Sequence, residues 1–140
     1  MTTTTSVLGG SIRRREDPAL IQGKGRYVDD IKLAGTLHVA FVRSPYAHAT
    51  ITSIDASEAL AMDGVHAVYT ADDVRHLGPL LAQVAVGKLR PLLADGVVKH
   101  AGESVAMVLA ESRYVAQDAA DAVFVDYEPL PAVVDPKEAA

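Results

Sequence analysis

The five histidines of this chain are the first candidates for chemistry, because imidazole is the commonest metal ligand in proteins. They are His38, His48, His66, His76 and His100. None lies four positions from another and no HxH or HExxH motif occurs, so their spacing does not favour a shared metal ion. The chain contains no cysteine, which excludes disulfides, thiolate zinc sites and iron–sulfur ligation by its own residues. We therefore expect it to bind no metal.

Catalytic and nucleotide-binding motifs are also missing from the sequence. Gly23-Lys24-Gly25 lacks the rest of a P-loop or Rossmann motif, so its glycines are interpreted as turn residues. Asp29-Asp30 would point to opposite faces of an extended segment, and Asp72-Asp73 fits the start of a helix. Asp126 and Glu128 could share a strand face, but solvent exposure on an antiparallel edge is the commoner explanation for such a pair. With no cysteine nucleophile and no GxSxG motif, we predict no catalytic and no cofactor-binding residues.

Composition indicates one globular domain without nucleic-acid or membrane association. The 140 residues are 49% hydrophobic and 22% charged, with a net charge of −5. The basic run Arg13-Arg14-Arg15 is followed at once by Glu16 and Asp17, which argues against phosphate binding. No apolar run approaches the about 18 residues of a membrane span, and the polar start Met1-Thr2-Thr3-Thr4-Thr5-Ser6 lacks the features of a signal peptide. A cytoplasmic location is expected.

Alternation of apolar residues and capping patterns predict an α+β fold in which a mixed sheet packs against helices. The predicted strands cover residues 36–43, 49–54, 65–69, 103–110 and 124–128, and the predicted helices 17–22, 56–62, 70–76 and 112–122. Asp17 is expected to cap the first helix, and Thr70 with Asp73 the third. Residues 79–96 show no clean period, with room for one short strand.

The first long strand is apolar on both faces, which predicts a strand covered on two sides or nearly so. The expected core consists of apolar residues from the strands and from the longest helix. These are Leu37, Val39, Phe41, Ile51, Ile54, Val68, Val105, Met107, Val108, Ala119, Val123 and Val125.

Three separate segments together resemble the α/β hammerhead domain of molybdenum hydroxylase large subunits, the family of xanthine dehydrogenases, aldehyde oxidases and carbon monoxide dehydrogenases. Their residues are Arg15-Glu16-Asp17-Pro18 with 23–30, Arg43-Ser44-Pro45-Tyr46-Ala47-His48-Ala49 with 51–55, and Gly102-Glu103-Ser104-Val105-Ala106 with 107–110 and 123–131. The resemblance covers nearly the whole chain. It departs at Ser104, where the family usually has proline, and at His100-Ala101.

This resemblance implies a flexible tail over residues 1–12 and a single hammerhead domain over residues 13–140. It also implies an N-terminal segment, or a split subunit, of a molybdopterin-dependent hydroxylase or dehydrogenase that is structural and inactive alone. Molybdopterin-bound molybdenum, iron–sulfur clusters and FAD are expected in the parent complex, held by other domains or subunits. The family's cofactor loops and active-site glutamate have no counterpart here.

The implied partners are a molybdopterin-binding catalytic chain and, with it, iron–sulfur and flavin subunits. The turn after the first strand is the candidate docking face, because arginine and tyrosine are favoured at interface hot spots. Its residues are Arg43, Ser44, Pro45, Tyr46 and His48. For His48, a hydrogen bond within the turn is the competing role.

Several alternatives remain open at this point. The chain could be an excerpt of a longer polypeptide, a separately encoded subunit or a gene remnant. It could also be a free-standing protein-interaction or small-ligand-binding module without redox activity. Exposed apolar surface would favour a domain of a larger assembly, whereas a polar surface with one enclosed pocket would favour the free-standing module.

Overall fold

The computed structural model describes residues 14–78, 90–135, 137 and 138. The chain divides into two compact units, one ending at Ala34 and the other covering Gly35–Ala140. The tail predicted over residues 1–12 lies outside the described residues, and the single-domain boundary at residue 13 stays a prediction.

The first unit contains helix α1 at Asp17–Leu20 and a 3-10 turn at Val28–Asp30. Pro18 lies in the first turn of α1 as predicted, but the cap position is Glu16, without a side-chain cap. Asp17 is already helical, so the predicted cap was one residue late. Gly23 adopts a φ of +67° and its N–H donates to Leu20, so it terminates the helix as expected.

The second unit consists of six strands and three helices in the described residues. They are β1 at His38–Arg43, β2 at Ala49–Asp55, α2 at Ser57–Leu60, β3 at Val65–Tyr69, α3 at Ala71–Val74, β4 at Val97–Val98, β5 at Ser104–Ala110, α4 at Arg113–Asp121 and β6 at Phe124–Pro129. A 3-10 turn at Arg75–Leu77 follows α3. Two three-stranded antiparallel sheets result, in the orders β1-β5-β3 and β4-β2-β6.

Helix α4 packs on one face of the β1-β5-β3 sheet and forms the larger core cluster. The side chains in contact are small, which allows the helix backbone to approach the sheet closely. The buried members are Ala40, Ala59, Val108, Ala110, Ala116, Ala119, Ala120 and Val123. Ser112 caps the helix, since its hydroxyl accepts a hydrogen bond from the Val115 N–H at 3.2 Å.

A second, smaller cluster joins the two sheets through Ala49, Ala94, Val98 and Val105. Val105 reaches this cluster because it is an extra residue in the pairing of β5 with β1, where Val42 is opposite Ala106 and Arg43 is opposite Ser104. Such a β-bulge reverses the alternation of side chains from that point. The strand β4, which contributes Val98, was not predicted: the short strand expected from sequence was placed within residues 79–96, of which 79–89 lie outside the described residues.

Three residues assigned to the core from sequence are exposed. Leu37, Val39 and Phe41 are 38%, 48% and 42% accessible, whereas Val105, Val108, Ala119 and Val123 are buried as predicted. The remaining predicted core residues are half-buried. The prediction for Leu37, Val39 and Phe41 was wrong because the helices pack on the opposite face of β1. The α+β class is confirmed, with its strands divided between two sheets.

None of the helices in the described part of the chain has the length and apolarity that crossing a bilayer requires. The cytoplasmic location stays a prediction.

Candidate docking surface

The turn between β1 and β2 connects the two sheets, and its backbone is fixed by a second turn distant in sequence. Ser44 is 3% exposed. Its N–H donates to the carbonyl of Glu103 at 2.9 Å, and its carbonyl accepts from the N–H of Gly102 at 2.8 Å. Two of the three segments that resemble the family, at residues 43–49 and 102–106, are far apart along the chain. These hydrogen bonds pair them in space just before β5.

The side chain of Ser44 organises the turn itself. Its hydroxyl accepts a hydrogen bond from the Tyr46 N–H at 3.0 Å and lies 3.1 Å from the Tyr46 carbonyl, to which it can donate. The ring of Tyr46 packs against the ring of Tyr127, with centroids 5.3 Å apart and planes inclined by 52°. These contacts hold Tyr46 at the surface in one orientation, 40% exposed.

Tyr127 lies beneath this turn with a buried hydroxyl that has no hydrogen-bond partner among the described residues. Burial raises the pKa of Tyr127, the nearby Ser44 hydroxyl opposes that rise, and Tyr46 adds to it. The raised pKa favours the neutral phenol, which suits a packing residue rather than an acid or base.

The two basic residues of the turn bond to backbone at either end. Arg43 donates from Nη1 to the carbonyl of Gly102 at 2.8 Å, and its guanidinium lies 5.6 Å from the ring centroid of Phe41. His48 donates from Nδ1 to the carbonyl of Pro131 at 2.7 Å, and its own carbonyl accepts from the N–H of Leu130 at 2.9 Å. Both side chains therefore have roles within the domain.

The five candidate docking residues lie together in one turn, but they differ in exposure and in hydrogen bonding. Ser44 is buried and Arg43 and His48 are bonded to backbone, whereas Pro45 and Tyr46 are exposed. Docking of a partner on this turn stays a prediction. The competing structural role for His48 is supported by its bond to Pro131.

An apolar surface lies beside the turn, on the face of the β1-β5-β3 sheet opposite α4. Two rows of paired residues form it: Leu109 on β5 lies between Val39 and Ala67, and Met107 on β5 lies between Phe41 and Tyr69. Directly paired residues of antiparallel strands project from the same face. Together with Leu37, which directly precedes β1, we call this set the outer face.

Sequence reasoning missed the outer face as a surface. Val39, Phe41 and Tyr69 are 48%, 42% and 38% exposed, while their neighbours on β5 are half-buried. The signal was the two-sided apolarity of β1, which predicted a cover on both faces. Helix α4 covers one of them.

The histidines do not converge on a metal site in the described residues. His66 Nε2 lies 3.5 Å from Glu111 Oε1, and His100 Nδ1 lies 3.6 Å from Glu103 Oε2. No group of three or more histidine, aspartate or glutamate side chains within residues 14–78, 90–135, 137 and 138 could hold a metal ion. The described residues therefore do not fit molybdenum or an iron–sulfur cluster.

The described cavities are open clefts. One of about 370 Å³ is lined by Val74, Arg75, Leu92, Leu93, Asp95 and Lys99, among others. Arg75 already bonds Asp72 at 2.7 Å and Asp95 at 3.0 Å, so its charge is compensated without a ligand. The enclosed pocket that would favour a free-standing ligand-binding module is not found among the described residues.

Comparison with known proteins agrees with this geometry. The family model described as "Aldehyde oxidase and xanthine dehydrogenase, a/b hammerhead domain" matches residues 22–131. The chain is 49% identical over 132 residues to the carbon monoxide dehydrogenase large chain of Afipia carboxidovorans, covering 94% of this chain and 16% of that protein. It is 44% identical to the nicotine 6-hydroxylase large subunit of Paenarthrobacter nicotinovorans, covering 96% of this chain and 17% of that one.

Solved structures of other proteins are also similar to this chain. A crystal structure of Cu,Mo-CO dehydrogenase in its carbon monoxide reduced state superimposes with a TM-score of 0.83 at 50% identity, covering 94% of this chain and 16% of that one. The chain therefore spans about one sixth of the length of these relatives.

Proposed function

This chain belongs to the a/b hammerhead domain family of the aldehyde oxidases and xanthine dehydrogenases, among the molybdenum hydroxylases, and on that premise we propose that its role is to dock onto a molybdopterin-binding catalytic chain and complete its fold. The chain matches an N-terminal hammerhead segment of molybdopterin-dependent hydroxylases. The observation that carries the proposal is this match over residues 22–131, combined with a share of only 16% of the relative's length.

The parent complex is proposed to hydroxylate a carbon centre or to oxidise carbon monoxide, as the names of the relatives suggest. Molybdopterin-bound molybdenum would supply the redox chemistry, and iron–sulfur clusters and FAD in neighbouring subunits would carry the electrons away. The described residues of this chain offer no metal-binding group, so its proposed contribution is structural.

Docking is proposed to involve the turn Arg43–His48, in which Pro45 and Tyr46 are exposed. Tyr46 is held by Ser44 and Tyr127 in one orientation, and a side chain that is already ordered loses little entropy on binding. The exposed apolar residues of β1 also support membership of a larger assembly. The free-standing module is not favoured, because 94% and 96% of this chain match parts of two much longer proteins, a large chain and a large subunit.

Co-expression with the molybdopterin-binding polypeptide of the same organism tests the proposal. Pull-down yield and dye reduction would be measured with carbon monoxide, nicotine, xanthine and an aldehyde as substrates. We expect the wild type to be retained and to be required for full dye reduction. Absence of binding by a folded wild-type chain would overturn the proposed function.

A double variant tests the choice of the turn. Arg43→Ala with Tyr46→Ala should reduce pull-down yield, while Arg75→Ala with Tyr114→Ala provides a matched change at exposed arginine and tyrosine side chains elsewhere. Equal retention of both folded double variants would remove the turn from the proposed interface and leave the subunit role intact.

A further inference from the structure

We infer that the outer face of the β1-β5-β3 sheet is the principal surface by which this domain is seated on the molybdopterin-binding chain. The inference rests on the proposed function and names the part of the domain that makes the contact. The occupant is an apolar segment of that chain with an acidic side chain at its edge, which meets Arg43.

The register of the sheet supports this surface. Val39, Leu109 and Ala67 form one row across three strands, and Phe41, Met107 and Tyr69 form the next. An extra residue in β3, His66, sets this arrangement, because Val65 is opposite Ala110 whereas Ala67 is opposite Leu109. The bulge directs Val68 to the α4 side and Ala67 and Tyr69 to the outer face.

The solvent exposure of the outer-face side chains also supports this surface. Val39 and Phe41 are 48% and 42% exposed at neighbouring positions of the same face, next to Tyr69 at 38%. Scattered apolar residues are ordinary on a protein surface, but adjacent rows of them are typical of a surface that another element covers. On β1 the side covered by α4 carries Ala40 and Val42, whereas the outer face carries Val39 and Phe41.

Charge indicates which occupant fits. The six residues of the two rows carry no charge, and Arg43 lies at the edge, with its guanidinium over the ring of Phe41 at 5.6 Å. A second copy of this chain, paired through the same face about a two-fold axis, would bring another Arg43 and no acidic residue from these rows. A partner with an acidic residue at its edge complements the surface better.

Chain length also favours the molybdopterin-binding chain as the occupant. In the relatives this domain is 16–17% of a large subunit, so most of the protein that it accompanies lies beyond the matched region. That larger part offers apolar surface for the outer face without requiring another copy of the domain.

The test compares two double variants in the co-expression pull-down. Val39→Ser with Phe41→Ser removes the two large apolar side chains that β1 contributes to the outer face. Phe124→Ser with Val133→Ser makes the same chemical change at two residues that are 66% and 61% exposed outside that face. We expect the first pair to weaken binding by more than about tenfold and the second by less than about twofold, since truncation of central apolar anchors dominates interface energetics.

Hydroxyl-radical footprinting provides a measurement that needs no variant. Oxidation of Phe41, Tyr69 and Met107 in the wild-type chain should fall by at least about threefold on complex formation if the face is desolvated, while oxidation of Tyr114 should not change. Tyr114 is 83% exposed on α4 and serves as the internal reference.

The possible outcomes distinguish failure of the proposed function from failure of the outer face as the contact surface. Failure of wild type to bind would overturn the proposed function and this inference with it. Wild-type binding with unprotected Phe41, Tyr69 and Met107 would overturn the inference alone. Protection of these residues in the chain by itself, with a sedimentation coefficient that rises with concentration, would assign the face to self-association and would also overturn it.

Discussion

Arg43 and Gly102 are 59 positions apart in sequence, yet the guanidinium of Arg43 donates a hydrogen bond to the carbonyl oxygen of Gly102 at 2.8 Å. The N–H of the same glycine donates to the carbonyl of Ser44 at 2.8 Å. The turn that follows β1 and the turn that precedes β5 are therefore one structural unit. A change at either turn should affect both, which leads to the first two predictions.

Gly102→Val should lower the free energy of unfolding by about 1–3 kcal/mol, because a β-branched residue is strained at a positive φ. Gly102 has a φ of +83°, and a Cβ there would meet no heavy atom within 4 Å, so the cost would come from the backbone. Lys99→Ala, at an exposed side chain nearby, should be nearly silent. Urea unfolding of the three proteins provides the measurement, and equal midpoints for wild type and the valine variant would refute the strain.

Ser44→Ala should destabilise the domain by about 1–2 kcal/mol, because the buried hydroxyl bonds to the backbone of Tyr46. Ser53→Ala, at an exposed serine of β2, is the matched control. The ring of Tyr46 should also become more mobile, which NMR line widths of its ring protons would report. A variant as stable as the control would mean that the hydroxyl does not organise the turn.

Tyr127→Phe should leave stability at neutral pH unchanged or slightly increased, since the tyrosine hydroxyl is buried without a described partner. Burial raises the pKa of Tyr127 above its ordinary 10.0. The unfolded chain therefore ionises first as the pH rises, and the wild type loses stability between 10.0 and the raised folded pKa. Denaturation at about pH 7 and about pH 11 should give a smaller alkaline loss for the phenylalanine variant. Identical alkaline losses of stability in the wild type and in Tyr127→Phe would contradict a raised pKa of Tyr127 in the folded state.

Asp73→Asn should cost about 0.5–1 kcal/mol, because the charged Asp73 carboxylate accepts from the Thr70 N–H at 2.7 Å in a capping box at the start of α3, and the neutral asparagine oxygen would make a weaker hydrogen bond. The Thr70 backbone N–H, followed by its hydroxyl, lowers the pKa of Asp73 below 3.8. The stabilisation is therefore present above pH 3.8 and is lost as the pH falls through the lowered folded value.

Asp72→Asn is the control for the capping box, since Asp72 occupies the same helical turn but bonds the exposed Arg75. Exposed ion pairs contribute little, so this change should cost less than about 0.5 kcal/mol. Thermal unfolding at neutral and acid pH would compare the two variants. Equal costs would attribute the effect of Asp73 to charge at the helix start rather than to the capping box.

The isolated chain should contain far less than one molybdenum or iron atom per molecule, bind no FAD and reduce no dye with the substrates named above. The sequence has no cysteine, and the described residues contain no metal-binding group. Elemental analysis of untagged protein and an absorption spectrum provide the check. Stoichiometric metal that survives dialysis would overturn this prediction.

Local chemistry was predictable wherever neighbours along the chain decide the structure. The capping box of Thr70 and Asp73, the serine cap of α4 and the glycine that ends α1 all depend on residues within a few positions of each other. Strand β3 begins and ends where apolar alternation placed it. The family resemblance likewise depends on short contiguous motifs, so the sequence alone was sufficient to identify the family.

The direction of side chains in the strands was decided only by the tertiary structure. Extra residues at Thr52, His66 and Val105 shift the pairing by one, so a period of two no longer predicts which face a residue occupies. The bulge at Thr52 allows Ile51 and Ile54, three positions apart, to reach the same cluster. Nothing in the identity of these residues marks them as bulges, because a bulge depends on the partner strand.

The difference between core and interface was also decided by the tertiary structure. Val39 and Phe41 have the residue types and alternation of a buried strand, and the sequence correctly indicated that their side chains suit an apolar environment. Which surface provides that environment depends on where α4 packs, and α4 covers the opposite face through Ala40. Hydrophobicity specifies that a side chain should leave water, but it does not specify what will cover it.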